Sequence, residues 1–369
     1  MRQLIKLKRN YLLLLLPLSL ILILIARQSS DFAEFYALHI YKYISQLVSL
    51  ISGIIPISLT EIILIILPIL LLTILIRFIT RIIKDKDNRK IHIFKGIINV
   101  FCTISLLLFS FTLLAGLNYH RYTFSYYSNL EVRDSSLEEL YGMAKELAHQ
   151  ANDLRSMVSN VDEDGVFNLS MSNFKLADET NKAMRKLSEE YPVLGGRYGS
   201  PKPILLSPLM SYTGITGVCM PFTMEANVNI DISDFYIPVT MLHELSHQRG
   251  FMREDEANFI AYLAGMNSEN VEIMYSSTMH ALISSGNALY GQDVDLYFEV
   301  RDIYSDGVKK DIRANTEYWT KYEDTVVSTV SNKINDTYLK ANNQTDGVKS
   351  YGRMVDLLLA KYRADMNEH

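Results

Sequence analysis

Two cysteines in 369 residues are too few for a disulfide framework. Cys102 lies inside a long apolar run and Cys219 in the polar half of the chain, so the two are not expected to pair. Flanked by Val218 and Met220, Cys219 reads as an apolar-site cysteine rather than a nucleophile. Internal repeats and low-complexity segments are absent. Acidic residues are scarce at first: positions 1–118 hold 13 Lys and Arg against 5 Asp and Glu. Subtracting these from the totals of 36 and 41 leaves 23 and 36 for positions 119–369. This change of sign, matched by hydropathy, divides the chain into 1–118 and 119–369.

The first part is built from hydrophobic runs. Residues 11–26, 59–80 and 97–117 are expected to cross a lipid bilayer as helices; the third has 21 residues without a charge. No A-x-A-like cleavage site follows the first run, which is therefore read as an uncleaved anchor. Arg2, Lys6, Lys8 and Arg9 precede it, and seven more basic residues crowd 77–95. The loop between the first two runs carries only Arg27 and Lys42. By the positive-inside rule the N-terminus is cytoplasmic and 119–369 lies outside the cytoplasm. Basic clusters beside membrane helices are topology signals, so no nucleic-acid partner is expected. Residues 31–58 carry Phe32, Phe35, Tyr36, Tyr41 and Tyr43. Interfacial in character, they are expected to rest on the bilayer, pack under the outer domain or serve as a plain connector.

Histidine is also sparse, at eight, yet two of them stand in His243-Glu244-Leu245-Ser246-His247. Residues four apart share one helix face, so both imidazoles can reach one metal ion. Glu244 is then placed to take a proton from water on that metal. This is the HExxH arrangement of zinc hydrolases. Apolar neighbours such as Ile237, Val239 and Leu242 mark a helix that is at least half buried, and Gly250 marks its end. Residues 254–266 form the next helix.

The third ligand follows by elimination. Metzincins place a third histidine where this chain has Arg253, which cannot bind a cation. A carboxylate is expected instead: Glu254, with Glu256 as the alternative and Asp255 as a solvated helix start. Glu254 and Asn258 share a face, as in the gluzincin pattern, with Asn258 orienting the first histidine. Zinc held by His243, His247 and Glu254 keeps an open position for water, with Glu244 as the general base. Tyr262, His280, Tyr318 and Tyr322 are equal candidates for stabilising developing charge.

In the outer part, 136–158 and 173–190 have helical character, the first with a capping-box start at Ser136. Short strands are expected at 204–206, 217–220 and 225–232, just before the HExxH helix. Overall this is an α+β, mainly helical chain: three membrane helices, then a zincin-like domain whose edge strand (217–220 or 225–232) would bind an extended peptide.

The segments GITGVCMPFTMEANVN, HELSHQRGF with EDEANFIAYLAG, and SYGRMVDLLLAKYR resemble an uncharacterised bacterial membrane family, domain of unknown function 3810. That resemblance implies a bacterial envelope protein with a gluzincin-like domain and no established substrate. The expectation is a membrane-anchored zinc metallopeptidase acting on peptide bonds outside the cytoplasm. The alternative is a non-enzymatic zinc-binding sensor or assembly protein, although a structural zinc is usually closed by four protein ligands. Charge around the motif argues against an intramembrane protease, and three unbroken spans argue against a transporter.

Overall fold

A computed structural model describes residues 8–323, 325–344 and 353–368. Arg2 and Lys6 of the basic N-terminus and residues 350–352 of the closing segment lie outside the described residues.

Three helices are long and apolar enough to cross a membrane: α1 (Lys8–Gln28), α4 (Leu59–Lys84) and α5 (Arg89–Leu114). Helix α5 ends at Leu114, three residues before the expected end. From Gly116 to His120 the chain winds into a tight turn, and there Leu117 and Tyr119 pack with Met224 and Met252 of the C-terminal part. These side chains leave the lipid-facing run because they are needed in that contact.

Between α1 and α4 lie α2 (Ser30–Tyr36) and α3 (Lys42–Gly53), joined by a π turn over Ala37–Tyr41. This segment packs against the C-terminal part. Glu34 accepts two hydrogen bonds from the Arg121 guanidinium, the shorter 2.8 Å, and Tyr127 donates a third. The Nζ of Lys202 donates to the carbonyls of Ser52 and Ile57.

The C-terminal part is mainly helical, with one small sheet among the described residues. Ser136 and Glu139 close the expected capping box at the start of α6 (Leu137–Met157), and α7 (Asn173–Glu190) follows. Strands β1 (Lys202–Pro203), β2 (Gly217–Met220) and β3 (Glu225–Val228) form a sheet of order β1-β3-β2, with β1 parallel and β2 antiparallel to β3. Expected at 204–206, the first strand instead occupies Lys202–Pro203. The N–H groups of Leu205 and Leu206 are taken by the Glu61 carboxylate, at 3.2 and 2.6 Å, and so are lost to pairing. Strand β3 stops at Val228, short of Ile232. Beyond it Asn229 Oδ1 accepts from the Asp231 N–H and Ser207 Oγ from the Ile230 N–H, a local alternative to the ladder.

Glu225 helps to fasten this sheet to the membrane part. The Glu225 carboxylate on β3 accepts the Leu59 and Thr60 N–H groups at 3.0 and 2.9 Å, placing an anion at the N-terminus of α4 where the helix dipole favours it. Lys202 Nζ lies 2.5 Å from the same carboxylate.

Helix α8 (Tyr236–Gln248) carries the HExxH motif, and α9 (Glu254–Met266) and α10 (Val271–Gln292) pack on it. Leu242 and Leu245 are fully buried on α8, and Phe259 and Ile260 on α9, so α8 is wrapped by sheet and helices alike. Then come α11 (Val294–Ile303), α12 (Asp306–Thr320), α13 (Val326–Ala341) and α14 (Met354–Glu368).

Candidate metal centre

Helix α8 brings the two motif histidines one turn apart. Their Nε2 atoms are 3.1 Å from each other. Gly250, at φ +85°, then reverses the chain in a conformation that a side chain would strain. A β-carbon there would also meet the Tyr41 ring at 3.0 Å. This reversal starts α9 directly beside α8. Glu254, its first residue, puts Oε2 3.1 Å from His243 Nε2 and 3.6 Å from His247 Nε2.

The three atoms fit a metal. Bonds of about 2.1 Å in tetrahedral geometry separate neighbouring ligand atoms by about 3.4 Å, close to the distances found. The rings also present the right atoms. His247 Nδ1 lies 2.8 Å from the Phe251 carbonyl, which only accepts, so that nitrogen carries the proton. His243 Nδ1 lies 2.7 Å from Asn258 Oδ1. In the neutral rings both Nε2 lone pairs therefore face the Glu254 carboxylate, three acceptors around one point. Burial opposes charge on Glu254, but the two imidazoles outweigh it and hold the carboxyl down at about 2. Burial likewise opposes protonation of His247, and Glu254 outweighs it, lifting the ring to about 9. Both shifts describe a place that favours positive charge.

The other carboxylates of this turn point elsewhere. Glu256 Oε1 accepts from the Phe124 N–H at 3.1 Å and from Arg253 at 3.0 Å, so it braces the chain that leaves the membrane rather than joining the cluster. Asp255 lies 3.7 Å from Arg353; it is partly shielded rather than solvated. Arg253, at the metzincin histidine position, also donates to the carbonyls of Tyr119 and Arg121.

Glu244 is buried. It accepts from the Cys219 N–H of β2, and burial, reinforced by Glu254, raises its carboxyl above the ordinary value. Its Oε2 has no partner. Both Glu244 and the cluster face a cavity of about 1180 Å³. Strand β2 lines this cavity and is the edge of the sheet, whereas β3 is central. Cys219 is half-buried and its thiol is pushed well up by burial, the behaviour of an inert cysteine.

Of the four residues considered for charge stabilisation, His280 of α10 lines the cavity. Both its ring nitrogens are buried without a partner, and burial, helped by His243, depresses the ring to about 4. Tyr318 donates to Asp231, Tyr322 meets Tyr212 edge-on and Tyr262 is buried in the main core. Four residues contribute to the site without any signal in the sequence pattern. Gly217 meets Glu244; Tyr41 Oη lies 3.2 Å from the His247 carbonyl and steadies the end of α8; the cavity wall draws on Leu114 and Tyr338. All four residues are plain in the sequence, but no spacing rule links such distant positions.

Fold and site define a chiefly helical membrane protein with a His/His/Glu cluster in a large cavity. The chain belongs to the family described as protein of unknown function (DUF3810), whose profile matches residues 36–359. No curated protein matches the chain, and no solved structure matches it.

Proposed function

We propose that this protein is a membrane-anchored zinc metallopeptidase with a zincin-like, gluzincin-type outer domain acting outside the cytoplasm. The convergence of His243, His247 and Glu254 beside an unpartnered Glu244 oxygen carries the reading. Those three residues would hold Zn2+, with Asn258 and the Phe251 carbonyl fixing the rings. When bound, zinc supplies Lewis-acid activation of water and of a substrate carbonyl.

The chain's own residues do the rest. An extended peptide adds to the free edge of β2 by backbone pairing, which brings its carbonyl over the cluster. Glu244 takes a proton on Oε2 from the water that attacks the carbonyl carbon and delivers it to the amine nitrogen as the C–N bond breaks. His280, neutral and with no other bond to make, donates an N–H to the carbonyl oxygen as it gains charge.

Residues of α2, α3 and the start of α4 are bonded into the outer domain, so the test uses the full chain. Zinc content and cleavage of a random peptide library are measured for wild type, Glu244→Gln, His247→Ala, Glu254→Gln and His280→Ala. One zinc per chain is expected, lost in His247→Ala and Glu254→Gln. Glu244→Gln and His280→Ala should keep zinc while cleavage falls by about 10²–10⁴ and about 10²-fold respectively. A folded wild type that takes up no zinc would rule the reading out.

A further inference from the structure

We propose that the substrate is the juxtamembrane stretch of a membrane-anchored polypeptide, cut close to where it leaves the bilayer; this rests on the peptidase reading above. The cavity that holds the cluster is not confined to the outer domain. Leu114, Ala115 and Tyr119 also line it, and these are the last residue of α5 and the turn that follows. The end of a membrane-spanning helix sits near the bilayer surface because its apolar length is matched to the hydrocarbon. The cluster and the bilayer surface therefore open into one volume.

A second wall has the same connection. Asn332, Asn335 and Tyr338 of α13 line the cavity. The Tyr338 ring meets Phe111 of α5 edge-on at 6.1 Å, and its hydroxyl lies 3.0 Å from that of Tyr119. Along α13, Val326, Val330 and Ile334 are exposed on successive turns. Such a stripe suits the boundary between headgroups and acyl chains better than water.

The lining identifies the occupant. Val218, Pro221, Met224 and Met252 extend the apolar surface, and among the described residues no Lys or Arg lines the cavity. A phosphate-bearing lipid or a lipid-linked sugar phosphate would find no basic side chain there to pair with. An apolar polypeptide needs none: its backbone pairs with β2, and its side chains meet the apolar wall. Since an extended chain advances about 3.3 Å per residue, the cut should fall within roughly ten residues of the anchoring helix.

The experiment reconstitutes the zinc-loaded full chain in phosphatidylethanolamine–phosphatidylglycerol liposomes. One pool of peptides carries a randomised segment of roughly 30 residues behind a single span of about 20 apolar residues. A second pool is the same segment without the span. Cleavage positions are read by mass spectrometry, and position along the anchored chains separates placement from the gain in local concentration that anchoring brings. Cuts in the first roughly ten residues, enriched about tenfold over the far half and reduced about tenfold in Leu114→Trp, are the expected result. Cuts spread evenly along the anchored chains, or confined to the soluble pool, overturn the juxtamembrane assignment and leave the peptidase standing. No cut in either pool from a zinc-bound protein overturns both.

Discussion

Gly217 and Glu244 touch across the gap between the edge strand and the HExxH helix. A β-carbon built on Gly217 would collide with Glu244 Oε1 and lie 2.9 Å from its carboxyl carbon. No real contact is that short, and Glu244 is enclosed, so the glycine is what allows β2 to hold the carboxylate in place. Gly217→Ala should therefore keep the zinc and the fold while peptide cleavage falls by about 10²-fold, since a shift near 1 Å misplaces a catalytic group. Zinc content beside turnover decides it; unchanged turnover would mean that Glu244 has room to move.

Glu254 and Glu256 stand two residues apart and differ in what they touch. Glu254→Gln should abolish stoichiometric zinc. In Glu256→Gln zinc should remain, while stability falls by about 1–3 kcal/mol as Arg253 and the Phe124 N–H lose a charged acceptor. Metal analysis with thermal melts separates the two, and zinc loss in Glu256→Gln alone would move the ligand.

Asn258 positions His243 through the 2.7 Å contact to Nδ1. Asn258→Ala should weaken zinc affinity by about 10–100-fold, and Asn258→Asp should restore it. Competition with a chelator of known affinity measures both. Equal affinity in all three proteins would show that His247, Glu254 and packing orient the ring by themselves.

Glu225 joins the sheet to the second membrane helix. Burial raises its carboxyl, but Lys202, Thr60 and the helix N–H groups outweigh it, so it sits below its ordinary value of 4.5. A depressed carboxyl stabilises the fold at pH values above its unfolded value and loses that effect as the pH falls through its folded value. At neutral pH Glu225→Gln should cost about 3 kcal/mol, because it leaves Lys202 buried without its anion. The difference in Tm between wild type and variant should then close as the pH drops below 4.5. A pH-independent difference would assign the effect to packing instead.

The membrane helices and the secondary structure around the motif were legible because each is a local matter. Long uncharged runs can only be satisfied as helices in lipid, and the Ser136 capping box and residues 173–190 were read with their boundaries. The two histidines were legible for the same reason: helical period alone puts them on one face. Choosing Glu254 over Glu256 needed only the phase of the next helix, and the structure places Glu254 beside both rings and Glu256 about two hundred degrees round the helix, against Arg253.

Other assignments required the chain to fold back on itself. The strand expected at 204–206 moved because Glu61, far away in sequence, takes the N–H groups of Leu205 and Leu206. Likewise the third membrane helix ended early because Leu117 and Tyr119 fill a contact with Met224 and Met252. His280 became distinct from three tyrosines when α10 packed on α8 and left its ring nitrogens facing the cavity without partners. By itself the sequence determined that His243 and His247 share one helix face with a carboxylate-rich helix start to follow, since period and residue type suffice for that. Tertiary structure decided where those residues look, because a cavity shared by the cluster and the end of a membrane helix arises from contacts between segments more than a hundred residues apart.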